Sequence, residues 1–254
     1  FPNSIYIGGL FSGYDTVRIG NFSLYAGVPS AVGALSMGSN GNGSWLTWAE
    51  DLTYSFPTIF VTDDYRVFLT GDLFGSQVWG SDTLDGSQWV YDFFLVQMES
   101  SNGQVKSALE TPNVPTLTGD YRLARRQPII QLGWDIILML SHRGAVSLDG
   151  TNLPFGAVAD PLVHGITFAM TDGYSFYDAE SFNAPGGGVE AHGHISQFYQ
   201  LGIWGAGFSY ADSITVGSDT LQLDSTYNDI IGWNQYWEWS ISEEEVVVPK
   251  LFPN

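Results

Sequence analysis

The stretch Trp89-Val-Tyr-Asp-Phe-Phe-Leu-Val-Gln-Met-Glu99, its link Ser-Ser-Asn102-Gly103, and the return Gln104-Val-Lys-Ser-Ala-Leu-Glu110 decide the fold class. An aromatic and β-branched run meets Asn-Gly, whose glycine readily takes the positive φ of a tight turn, and a second run follows at once. That is the pattern of a β-hairpin. Working outward, the same punctuation recurs at Asn40-Gly41, Asn42-Gly43, Asp85-Gly86, Asp149-Gly150 and Asp172-Gly173. Strands are expected over residues 4–10, over 58–62 and 65–70 about Asp63-Asp64, and over 166–170, 194–201, 213–216 and 234–241. In the last, Trp233, Gln235, Trp237, Trp239 and Ile241 alternate with Tyr236, Glu238 and Ser240. Residues 129–141 are nearly all apolar and read as one central strand buried on both faces.

No segment has a long amphipathic helical pattern. The expectation is an all-β protein, an antiparallel β-sandwich or jelly-roll-like barrel with few or no helices. The 254 residues fit one large β domain, with Thr-Pro-Asn-Val-Pro at 111–115 as the boundary if there are two lobes. No internal repeat stands out. Phe-Pro-Asn opens and closes the sequence, at 1–3 and 252–254, as a unit cut from a longer array would.

Hydrophobic residues make up 44%, enough for a large core, and 15% of the chain is aromatic, which argues against disorder. Eight basic residues face 27 acidic ones, for a net charge of −19. Such a surface repels phosphate backbones and anionic lipid, which argues against nucleic-acid partners. No apolar run reaches the length of a membrane-spanning helix, so no membrane insertion is expected. Without cysteine, disulfides and thiolate metal sites are excluded. The sequons Asn21-Phe-Ser and Asn42-Gly-Ser are candidate glycosylation sites.

The most specific chemical signal is Pro185-Gly-Gly-Gly-Val-Glu-Ala-His-Gly-His194. On a strand, Glu190, His192 and His194 share one face, and imidazole with carboxylate at that spacing suits a divalent transition metal. The stretch 186–202 resembles the first metal motif of the cupins, a glycine-rich turn before His-x-His. The resemblance implies a β-barrel and a metal held by these side chains. It departs from the family at Gln197, where a glutamate is usual, and no histidine follows His194.

Other constellations have bland readings beside functional ones. Asp82 and Asp85 offer oxygen ligands for calcium but sit in a Gly-Ser-Asp-Thr-Leu-Asp-Gly turn. Asp135 beside Trp134, and Glu238 between Trp237 and Trp239, are the acids a glycoside hydrolase would need. Trp45, Trp48, Trp79, Trp89, Trp204, Trp233, Trp237 and Trp239 would stack sugars or, more commonly, fill a core. Arg122, Arg125 and Arg126 would bind an anion or pair with carboxylates.

No complete catalytic motif is present. The leading expectation is a non-enzymatic, extracellular structural subunit that self-assembles into a filament or shell. Its terminal segments Ile5-Tyr6-Ile7 and Val246-Val247-Val248 would pair with a neighbour's sheet edge. The alternative is a metal- or carbohydrate-binding β-sandwich, as a degenerate cupin-like enzyme or a glycoside hydrolase.

Overall fold

The computed structural model describes residues 4–12, 14, 16–25, 27–50, 57–73, 75–86, 92–110, 129–143, 147–148, 151–152, 164–184, 189–198, 203–210, 213–216, 219–222 and 229–236; the side chains of 12, 17, 19, 72, 92, 132, 139–152, 164–167 and 180–236 lie outside this description. These residues are all-β with antiparallel pairing throughout, and no helix occurs among them. The hairpin read from residues 89–110 is present as Asp92–Glu99 and Val105–Glu110.

The strands fall into four successive groups of one plan. The first group holds β1 (Ser4–Ser12), β2 (Val17–Ile19), β3 (Phe22–Leu24), β4 (Ser30–Gly38) and β5 (Gly43–Glu50). The second holds β6 (Thr58–Val61), β7 (Arg66–Leu73), β8 (Ser76–Trp79), β9 (Asp82–Asp85), β10 (Asp92–Glu99) and β11 (Val105–Glu110). The third holds β12 (Ile129–Leu132), β13 (Asp135–Arg143), β14 (Ser147–Leu148), β15 (Thr151–Asn152), β16 (His164–Thr171) and β17 (Phe176–Ala184). The fourth holds β18 (Val189–Phe198), β19 (Ile203–Tyr210), β20 (Ser213–Val216), β21 (Asp219–Gln222) and β22 (Asp229–Tyr236).

In the second and third groups the four long strands run as a meander, β6-β7-β10-β11 and β12-β13-β16-β17, with a small hairpin inserted between the second and third long strands. The first and fourth sheets, β1-β4-β5 and β18-β19-β22, follow the same course with three described strands each. Hairpin β20–β21 touches the edge of the third sheet through Asn183 and Thr215.

This is an internal repeat that the sequence reading missed. The available signal was Gly-Ser-Asp-Thr-Leu, which occurs at 80–84 and again at 217–221. In both places the Asp opens the second strand of the small hairpin, opposite Trp79 and Val216. Gly20-Asn-Phe-Ser-Leu24 is the first group's version, and Leu24 and Leu84 are both buried.

The first three sheets stack face to face. Between the first and second lie Val32, Ala34 and Trp45 on one side and Val67, Leu69, Phe94, Val96 and Met98 on the other. Between the second and third lie Phe68, Phe93, Leu95 and Leu109 against Ile129, Ile136, Leu138, Ala169 and Phe176. Residues of the second sheet alternate between two buried faces, so β7 and β10 have no polar face to reveal their period. Each fully buried Phe, Leu or Ile contributes roughly 1.5–3 kcal/mol of burial free energy. Gly8 lets the sheets approach: a Cβ there would lie 2.9 Å from Leu69 Cδ1 and 3.0 Å from Ile59 Cβ.

Residues 129–141 are a correction to the single central strand. They fold back at Gly133-Trp134, with Leu132 opposite Asp135. Gly133 has φ +64°, and a positive-φ glycine first in a two-residue loop is the hairpin-turn arrangement. Its flanks are apolar because both strands are buried. Asn42-Gly43 and Asp85-Gly86 are likewise not separate tight turns, since Gly43 opens β5 and Asp85 ends β9.

Candidate functional site

A meander puts its first and third long connections at one end, and here those connections carry exposed aromatic rings. Thr62 accepts from Tyr65 N and donates to Arg66 O through its backbone, closing a three-residue loop. Tyr65 has φ +65°, a left-handed conformation that glycine usually supplies, and its side chain remains 51% exposed. Trp134 occupies the second position of the β12–β13 turn and is 77% exposed. Tyr174 and Tyr177, in and after the turn between β16 and β17, are exposed too.

Arg66 ties these turns together. Its Nε donates to Asp64 Oδ2 at 2.8 Å, Nη1 to the carbonyl of Asp172 at 3.1 Å, and Nη2 to the carbonyl of Trp134 at 2.6 Å. The guanidinium also lies 5.5 Å from the centre of the Phe68 ring. The Asp63 amide donates to Gln131 Oε1 at 2.7 Å, and Gln131 Nε2 donates to the carbonyl of Gly133 at 2.7 Å. Asp172 Oδ1 accepts the amides of Tyr174 and Ser175.

The charge balance is acidic. Partial burial, then a hydrogen bond to Asp135 and the nearby Asp172 and Asp178, push the Tyr177 phenol well above its ordinary range. Burial would raise the Asp64 carboxyl, but hydrogen bonds from Thr62 and Arg66 and the Arg66 charge outweigh it and hold Asp64 below 3.8. Among the described residues no group of three or more His, Asp or Glu side chains is placed to hold a metal ion.

Glu190, His192 and His194 all lie on β18, the strand expected of them, at the start of the fourth group. The ladder to β19 is irregular there, passing from Glu190 opposite Ser209 to His194 opposite Gly207. Their side chains, and the glycines 186–188 of the cupin-like stretch, lie outside the described part. Asn21 and Asn42 both occupy exposed turns, and Asn21 Oδ1 accepts the Gly43 amide at 2.5 Å. Asp82 and Asp85 belong to the β8–β9 hairpin, where the Asp85 amide donates to Glu110 Oε2. Trp45 and Trp79 are core residues, with Trp45 Nε1 donating to Ser100 O and Trp79 Nε1 to Gln77 Oε1. Residues 111–128, with Arg122, Arg125 and Arg126, and residues 237–254, with Glu238 and Val246, lie outside the described residues.

The outer side of the first sheet is a second candidate surface. Ile5 and Ile7 stand opposite Met37 and Leu35, and Leu35 stands opposite Leu46, so these side chains share one face. Tyr6 packs on the other, against the second sheet. Hairpin β2–β3 covers part of that outer face through Leu24, which packs with Phe11 and Ala31. Ile5 and Ile7 stay 52% and 40% exposed. β1 pairs with β4 along its whole length and, among the described residues, is one edge of its sheet.

No family model matches this chain, and neither a curated protein nor a solved structure resembles it at a significant level.

Proposed function

We propose that the protein is an extracellular structural subunit that self-associates through its stacked sheets, the outer face of the first sheet receiving the last sheet of a second copy. The observation that carries this is the pair Ile5 and Ile7, half-exposed apolar side chains on an edge strand of a sheet whose opposite face is fully packed. Both faces of the second sheet are covered by neighbouring repeats. A sheet of the same plan is therefore the surface that fits the first one. Covering Ile5 and Ile7 would remove apolar area from water. An extracellular setting is supported by the acidic composition and by sequons that fall in exposed turns.

The test is the mass in solution across a concentration series, for the wild-type chain and for the double variant Ile5→Glu/Ile7→Glu. The expected result is a concentration-dependent assembly that the double variant lacks while keeping the wild-type far-UV spectrum. A wild-type chain that stays monomeric at every concentration overturns the proposal.

A further inference from the structure

We propose that the turns carrying Tyr65, Trp134 and Tyr174, with Tyr177 at the start of β17, form a binding site for a neutral oligosaccharide, independent of the self-association surface. First, three of the rings, those of Tyr65, Trp134 and Tyr174, sit where turns ordinarily carry glycine or small polar residues, and Tyr177 follows in the second position of β17. Tyr65 adopts a left-handed backbone that costs an L-residue about 1–2 kcal/mol. Its half-exposed ring gains little packing within the chain in return. Strain of this kind, without a packing gain, is the mark of a binding position.

Second, the polar groups around the rings select the ligand's charge. Asp64 pairs with Arg66, and Asp135, Asp172 and Asp178 lie about Tyr177. Among the described residues of these turns carboxylates therefore outnumber the cation Arg66, three of whose nitrogens already donate to the Asp64 carboxylate and to the carbonyls of Asp172 and Trp134. An anionic ligand meets repulsion, and the carboxylates are not grouped to hold a metal ion. What remains is a neutral molecule that donates hydroxyl hydrogens and has apolar C–H faces for stacking. A saccharide has both properties. A protein partner would instead have to desolvate several carboxylates at once, at a cost of several kcal/mol per unpaired ion.

Third, the site is held in place. Arg66 and Gln131 tie the β6–β7, β12–β13 and β16–β17 turns across two sheets, so the rings are presented on a fixed frame. A fixed frame reduces the ordering cost of binding.

The experiment titrates the full chain with cellohexaose, maltohexaose, xylohexaose and mannohexaose, followed by calorimetry and by tryptophan fluorescence. At least one of these binds saturably, and Trp134→Ala and Tyr65→Gly each weaken it about tenfold, the loss of one stacking contact. Tyr65→Gly relieves backbone strain, so its urea midpoint stays at or above the wild-type value and misfolding does not explain the loss. Four flat titrations overturn the inference. So does wild-type affinity in both variants, or tighter binding of a sulfated polysaccharide than of any neutral probe. If Trp134→Ala lowers the solution mass and leaves sugar binding intact, the tips belong to a protein interface and the inference fails. Ile5→Glu/Ile7→Glu binds the sugar as wild type does, so the site and the assembly surface fail or stand separately.

Discussion

At the scale of single residues, backbone conformation and buried polar partners make the sharpest claims. Gly173 has φ +95°, and a Cβ there would lie 2.0 Å from Gln97 Oε1 and 3.1 Å from Phe68 Cε1. Ser107 Oγ also donates to its carbonyl. Gly173→Ala meets both strain and overpacking, and we expect a loss of about 2–4 kcal/mol in urea unfolding. Tyr65→Gly has the opposite sign, a gain of about 0.5–1 kcal/mol, because strain is relieved and little packing is lost. Tyr177 gives a pH test. Its folded phenol titrates above the unfolded value of 10.0, so its contribution is complete below pH 10 and is lost as pH rises through the folded value. Tyr177→Phe should therefore be less stable than wild type by about 1 kcal/mol at neutral pH, with the difference narrowing above pH 10. A constant difference across that range would mean that burial and the Asp135 hydrogen bond do not raise the Tyr177 phenol.

At the scale of elements, what was legible in the sequence depended on whether a strand had a wet face. The β10–β11 hairpin was readable because Asn102-Gly103 marks it, and Gly103 has φ +72°. The turn at Asp63-Asp64 was readable because two adjacent aspartates interrupt the apolar runs on either side. The β12–β13 turn was not, because Gly133-Trp134 interrupts a run whose flanks are both buried, and an exposed tryptophan does not announce a turn. The repeat was hidden because packing constrains only apolar character along the long strands, and sequence identity survives mainly in the small hairpins. Of the candidate site, Trp134 beside Asp135 was noticed as a possible sugar site, but Tyr65, Tyr174 and Tyr177 were not, since nothing local shows that their turns meet. Arg66 is what joins them. Arg66→Met keeps an unbranched apolar stem but removes the guanidinium, and with it the contact over Phe68 and three donors, two of them to backbone carbonyls in turns of the third sheet. We expect a loss of about 2–3 kcal/mol and faster hydrogen exchange at the amides of Tyr174 and Ser175. Wild-type exchange at those amides would mean the turns hold without it.

At the scale of the whole molecule, the repeat has a direction, and direction dictates the kind of assembly. The last strand of one sheet donates to a turn of the next: Trp45 to Ser100 and Thr47 to Gly103 from the first sheet to the second, then Ser107 to Gly173 from the second to the third. A contact that continued this series between copies would join two different surfaces, and head-to-tail contacts form open filaments or rings rather than closed pairs. The variant Ile5→Glu/Ile7→Glu then has one dead end and one live end. Added in small amounts to wild-type chains, it joins through its last sheet and offers nothing for the next copy, so it caps growth. Mean assembly length, measured by sedimentation, should fall steadily as the variant fraction rises, with the variant itself present in the assemblies. A symmetric contact, in which the first sheets of two copies meet, predicts a different outcome. The variant would be left out and would only dilute the wild-type dimers. If labelled variant never sediments with wild-type chains, the contact is symmetric and the head-to-tail continuation of the stack is wrong.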